Sequence, residues 1–211
     1  MREHGRAEKA DVAVARAAAP ARDNPAVRLL GWVSDIADQP PLIGLCAVMF
    51  ASGLILRDGR MARAGGRMLA SMLLATKLKD MIKDRVDRAR PHVVANGGRY
   101  RARKGHDQDG AMNSFPSGHT AGAVAVARAY AREYPEHAPA AYGGAAAVGA
   151  IQVPRSKHYP GDVAAGAVVG LIAEKTVNLG EGLIQRALER DEREERATGR
   201  EDVAPDHPDR R

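Results

Sequence analysis

One cysteine, Cys46, is all the chain has. That excludes an internal disulfide framework and a thiolate metal cluster, and its place in an apolar run reads as a small core residue. Aromatic residues make up only 4% of the 211 residues, while alanine and glycine carry much of the 45% hydrophobic content. Sandwiches and barrels want branched and aromatic strands, so an all-β fold is excluded and closely packed helices are expected. No uninterrupted run of about 18 apolar residues occurs, and the charged N-terminus (Arg2, Glu3, Arg6, Glu8, Lys9) lacks the apolar core of a signal peptide. A conventional secreted precursor is therefore not expected.

The net charge of +6 is concentrated. Between Lys77 and His106 ten basic residues stand against three acids, Asp80, Asp84 and Asp87, a net of +7 that leaves the rest of the chain near neutral. Such a segment attracts phosphate in nucleic acid, lipid headgroup or small substrate, or is simply a solvated helix face. Tyr100 is its only aromatic residue, which disfavours a nucleic-acid platform.

Three regions follow from the patterning. Residues 1–38 form a charged arm, helical or partly disordered; residues 39–184 hold the apolar helices of one bundle domain; residues 185–211 are a charged, partly disordered tail. Within the bundle, residues 41–56 are the longest apolar stretch, followed by Arg57, Arg60, Arg63 and Arg67 around three glycines. A helix from about Met68 is expected to run to Pro91, and residues 92–114 read as a long loop. Three further helices are expected over 117–134, 140–153 and from about 159. Gly118 with Gly122, and Gly166 with Gly170, have the spacing that lets helix backbones approach.

Three clusters carry chemistry. Lys83 and Arg90, seven apart, would share one face of a helix and grip an anion, with Pro91 ending that helix at a rim. Ser117-Gly118-His119 sits where the long loop meets a helix. Ser117 is a good N-cap, the first-turn amides make an anion cradle, and His119 is placed for proton transfer. His158 and Asp162, spaced i,i+4, would let a carboxylate orient an imidazole and free its other nitrogen for attack.

In this order, Lys83-x6-Arg90-Pro91, Pro116-Ser117-Gly118-His119 and His158-x3-Asp162 resemble the tripartite signature of the type 2 phosphatidic acid phosphatase and vanadium haloperoxidase superfamily. The resemblance spans roughly residues 40–178. It implies an all-α bundle of about five to six helices, membrane-embedded, with the site at one end. It also implies residue roles: Lys83, Arg90, Ser117 and Gly118 binding phosphate, His158 as nucleophile, Asp162 as its orienting partner and His119 as general acid. No cofactor and no metal are implied for the phosphatase. One departure stands out. Where the family carries Ser-Arg, six and seven residues before the nucleophile, this chain has Ile151 and Gln152. Either Arg155 substitutes as a phosphate ligand, or phosphate affinity is reduced, or the chain has drifted from catalysis.

The expected function is a metal-independent phosphatase acting on a lipid phosphate, phosphatidic acid-like or a polyprenyl mono- or diphosphate, through a phosphohistidine. The alternatives are a vanadate-dependent haloperoxidase and a non-catalytic module on anionic lipid. Membrane lipids are the expected partners, and nucleic acid is not. Residues 41–56 would be about 24 Å of helix against a bilayer core of roughly 30 Å. With the arginines after them marking a cytoplasmic turn, alternate crossings place the site on the outer, periplasmic face of a bacterial inner membrane.

Overall fold

The structure is a computed structural model that describes residues 5–201 apart from His106 and Gln108, with side chains described as far as Arg193. Residues 202–211, the end of the expected tail, lie outside the described residues. Two compact units divide the chain, Met1–Lys175 and Thr176–Arg211.

Four of the α-helices have a side-chain cap at their start. Helix α1 (Arg6–Ala18) and α2 (Pro25–Ser34) occupy most of the N-terminal region, α2 capped by the Asn24 side chain accepting from the Ala26 amide. After a 3₁₀ turn at Asp35–Ala37, Asp38 caps α3 (Gln39–Ile55). Asp58 caps α4 (Gly59–Lys83) by accepting from the amides of Arg60 and Met61. This start lies about ten residues before the expected one. Gly65 and Gly66 do not break the helix, and Arg60, Arg63 and Arg67 ride on its first turns, where they pair with Glu133 and Glu136.

Helix α4 stops at Lys83, short of Pro91. Residues 84–114 are not one long loop. Strand β1 (Val86–Arg88) pairs antiparallel with β2 (Ala102–Lys104), α5 (Pro91–Ala95) lies between them, and a 3₁₀ turn covers Gly110–Met112. Pro91 therefore opens a helix, at a position where its missing N–H costs nothing. Helices α6 (Gly118–Glu133), α7 (Ala138–Ile151) and α8 (Pro160–Glu201) complete the described residues.

In the first unit α3 packs on α4, α4 on α6, and α6 on α7. Leu42, Cys46, Met68, Met72, Val126 and Ala129 form a buried cluster where α3, α4 and α6 meet. Small residues set the spacing. A Cβ at Gly166 would lie 2.4 Å from the Ser117 carbonyl oxygen, and one at Gly170 2.5 Å from that of Ala121, so α8 touches the α6 backbone only because these two positions are glycine. The buried carboxylate of Glu174 on α8, held by Arg128 (2.5 Å) and Arg132 of α6, fixes the same pair. In the second unit the described part of α8 leaves Leu179, Leu183, Ile184 and Leu188 exposed.

By length and composition, among the described residues, one segment, Pro160–Arg193 of α8, is long and apolar enough to cross a membrane. The α2 and α3 segments pass the same test together, bent by 55° between them.

Candidate active site

Backbone pairing assembles the site from three distant stretches. The Ser114 amide donates to the Arg88 carbonyl (3.0 Å) and the Arg90 amide to the Ala111 carbonyl (2.8 Å), which lays residues 111–114 beside the strand leading to Arg90. The Ser117 amide donates to the Asp162 carbonyl (3.0 Å), joining the starts of α6 and α8. Lys83 and Arg90 do not share a helix face as their spacing suggested. They converge because Lys83 Nζ donates to the carbonyl (3.0 Å) and side-chain oxygen (2.9 Å) of Asn113, while an Arg90 terminal nitrogen lies 3.5 Å from the same carbonyl. Arg90 Nε is buried with no hydrogen-bond partner among the described residues. A buried guanidinium donor left unsatisfied is costly unless an acceptor arrives, and an anionic ligand supplies one.

His158 precedes α8 rather than sitting on it. Its Nδ1 lies 2.7 Å from the Ser114 carbonyl oxygen, which only accepts, so Nδ1 carries the proton and the lone pair of the neutral ring is on Nε2. Asp162 Oδ2 is 3.8 Å from Nδ1, beyond hydrogen-bonding range. The carboxylate acts one step removed. Oδ2 accepts from Ser114 Oγ (2.5 Å) and the Tyr159 amide (2.9 Å), and Oδ1 from Arg88 (2.5 Å). Ser114 thus bonds Asp162 through its hydroxyl and His158 through its carbonyl, so Asp162 orients the imidazole through Ser114. Arg88 also reaches Asp11 of α1 (2.7 Å) and the Tyr100 hydroxyl (3.1 Å), and its guanidinium lies 4.3 Å from the centre of the Tyr159 ring. Asp11 in turn accepts from the Gly161 amide (2.8 Å), so the first helix helps fix the start of α8.

Ser117 caps α6, its buried Oγ accepting from the amide (3.4 Å) and hydroxyl (2.9 Å) of Thr120. The amides of Gly118 and His119 occupy the first turn, where no intrahelical acceptor exists. Lys79 runs across Gly118; a Cβ there would meet the lysine Cδ at 3.1 Å. His119 Nε2 lies 3.3 Å from Asp35 Oδ1.

Asp35 gathers more than His119. Arg155 binds both its oxygens (2.8 and 2.9 Å) and donates to Ser34 Oγ (2.8 Å), while Lys157 Nζ sits 3.2 Å from Oδ1. Arg155 is therefore gathered with His119 around Asp35, and its hydrogen bonds go to Asp35 and Ser34, not to Asn113 where Lys83 and Arg90 meet. Gln152, in the place of the family's arginine, is fully buried. It donates to the Val148 carbonyl (3.0 Å) and Ser34 (3.4 Å), which turns its amide toward α2.

Burial holds the His158 imidazole below the usual histidine range; Asp162 opposes this, while Arg90 and Lys83 reinforce it. His158 is accordingly neutral at pH 7. Burial also lowers His119, with Asp38 and Asp35 opposing and Lys157 and His158 reinforcing. Burial, then the neighbouring charges of Lys79 and Arg90, brings Lys83 down to about 8 against the pull of Asp80 and Asp162.

The architecture finds its counterpart among known proteins. The family model described as the PAP2 superfamily matches residues 64–179, more than half of the chain. The chain belongs to the PAP2 superfamily. Among solved structures, a transmembrane PAP2-type phosphatidylglycerolphosphate phosphatase from Bacillus subtilis superposes with a TM-score of 0.62 at 21% identity, covering 86% of this chain and 89% of that one. Aquifex aeolicus LpxE gives 0.56 at 20% identity, over 77% and 91%. Both likenesses concern the fold. A lipid A 1-phosphatase of Porphyromonas gingivalis is 33% identical over 98 residues, 44% of this chain; the match spans 22% of that protein's length. The PAP2 match takes in Lys83, Arg90, Ser117, His119, His158 and Asp162, and leaves Asp11 and Asp35 outside it.

Proposed function

We propose that this PAP2 protein is a phosphatase that hydrolyses a lipid phosphate through a phosphohistidine on His158, without a metal. The observation that carries the reading is the Nδ1 bond of His158 to the Ser114 carbonyl, which leaves Nε2 as a neutral nucleophile close to two cations. Lys83, Arg90 and the Gly118 and His119 amides would take the phosphoryl oxygens. His158 Nε2 would attack phosphorus as the ester bond breaks, and His119 would protonate the departing alcohol. Water then cleaves the phosphoramidate, regenerating the imidazole. Charge on the equatorial oxygens is met by fixed donors, which is most of what phosphoryl transfer asks of a protein.

A lipid substrate and a membrane setting are supported by the surface. Leu29, Trp32, Val48, Ile55, Val168 and Ile172 are all more than 50% exposed, an apolar display unusual for a surface in water. Two apolar cavities of about 530 and 590 Å³ share Val33, Gly144 and Val148, and the first reaches Ser34 beside Arg155. Such a lining suits a hydrocarbon chain whose head lies at the site. The site lies at the Lys83 end of α4, opposite the Arg57–Asp58 turn. If that arginine-rich end is cytoplasmic, the site faces the outer, periplasmic side.

Phosphate release from a panel of lipid phosphates, assayed with chelator and with vanadate, tests the reading. Activity should survive chelation and be blocked by vanadate, which mimics the five-coordinate phosphorus. Strict dependence on a divalent metal would contradict it, and peroxidase turnover in place of phosphate release would favour the haloperoxidase alternative.

The histidine environments also set the pH dependence. Catalysis needs His158 neutral and His119 protonated; both are pushed down, so the optimum for an alkyl phosphate should lie on the acid side of about 6.5, the ordinary histidine value. An activated aryl phosphate does not need the proton from His119. Its rate should hold at higher pH and fall as Lys83 loses its charge near 8. His119→Ala should cost roughly 10²–10⁴-fold on the alkyl ester and little on the aryl ester. Equal losses on both would remove the acid role.

A further inference from the structure

A cavity of about 370 Å³ is lined by Arg22, Arg28, Trp32, Asp35, Arg155 and Lys157 among others. It is distinct from the place where Lys83 and Arg90 converge on Asn113, yet Asp35 joins the two regions through its 3.3 Å contact with His119. Four cations meet two carboxylates here, Asp35 and Asp23. The Asp35 carboxylate, 41% exposed, takes up Arg155 through both its oxygens, and Lys157 stands 3.2 Å away. Beyond it, Arg22 is only loosely paired, 3.7 Å from the exposed Asp23, and Arg28 is exposed. The cavity therefore has more cationic capacity than its own acids take up, and guanidinium forks match the geometry of phosphate oxygens.

We propose that this cavity is a second phosphate-oxyanion subsite, built by Arg22, Arg28 and Lys157 beside the Arg155–Asp35 pair. The proposal rests on the phosphatase reading only for the meaning of the neighbouring site, since the cavity's own charges are independent of it. Two sources of such an anion are compatible with this chemistry. One is a second phosphate on the same lipid substrate, with the reacting phosphate at His158 and the other in the cavity. The other is free inorganic phosphate.

Equilibrium dialysis of the full-length protein in detergent against radiolabelled inorganic phosphate should count two sites. Arg22→Ala/Arg28→Ala should abolish one of them or weaken it roughly tenfold or more, by loss of charge-assisted contacts, and Lys83→Ala should remove the other. Both arginines lie on the surface outside the catalytic group, so the double variant should keep the helical circular dichroism of the wild type. Two undiminished sites in Arg22→Ala/Arg28→Ala would overturn the subsite. Two undiminished sites in Lys83→Ala would instead count against the phosphatase reading and leave the subsite standing. Kinetics on a lipid with one phosphate and a lipid with two then identify the source. A rise in KM of about tenfold or more confined to the doubly phosphorylated lipid assigns the anion to the substrate. A site lost in dialysis with unchanged kinetics on both lipids assigns it to free phosphate.

Discussion

His158→Ala should reduce phosphate release by at least about 10⁴-fold while the protein keeps its helical content and its behaviour in detergent. The size of the effect follows from the site's construction. The ring is 3% exposed, its tautomer is fixed by the Ser114 carbonyl, and the neighbouring hydroxyls among the described residues are taken up: Ser117 Oγ is engaged with Thr120 and Ser114 Oγ with Asp162. Removing the ring leaves the binding groups intact, so the variant should still bind inorganic phosphate. Retained turnover would transfer the nucleophile's role to another group.

The second large effect is expected at a residue outside the three sequence clusters. Arg88 is 6% exposed and bridges two carboxylates, Asp162 and Asp11, while its guanidinium lies over the Tyr159 ring. Arg88→Ala would strand the fully buried Asp162 without its cation, a change that typically costs about 3–5 kcal/mol. That corresponds to a fall in melting temperature of roughly 6–20 °C for a protein of this size. Activity should fall too, because Asp162 holds Ser114 and Ser114 holds His158. Adding Asp162→Asn to Arg88→Ala should recover part of the stability, since the stranded charge is gone, without recovering activity. A melting temperature for Arg88→Ala equal to that of the wild type would show that the bridge is not structural.

How much of this was legible in the sequence differs between its parts. The helical architecture, the Ser117 cap and the small-residue contact of Gly166 and Gly170 were readable, because each depends on local spacing. The geometry joining the clusters was not. Seven residues between Lys83 and Arg90 look like two helical turns, but the chain leaves α4 at Lys83 and enters a short ribbon whose partner strand begins fourteen residues after Arg88. Likewise, i,i+4 spacing suggested a direct His158–Asp162 bond, whereas the shorter bond comes from a carbonyl 44 residues away. The roles of Arg88, Ser114 and Asp35 are not encoded in local spacing for the same reason. Their partners are 74, 48 and 120 residues distant, and no periodicity reports such contacts. The one signal available is the missing motif arginine at Gln152 with Arg155 three residues on; local spacing does not encode that Asp35, from the segment between α2 and α3, takes hold of that guanidinium.

The central claim is that phosphorus passes through His158, and rapid chemical quench of the wild type with a ³²P-labelled lipid phosphate tests it most directly. The account predicts a transient phosphoenzyme, stable in base and labile in acid, that maps to the peptide containing His158 and is missing from His158→Ala. Label on a serine or carboxylate peptide, or turnover at full rate with His158 replaced, would contradict it.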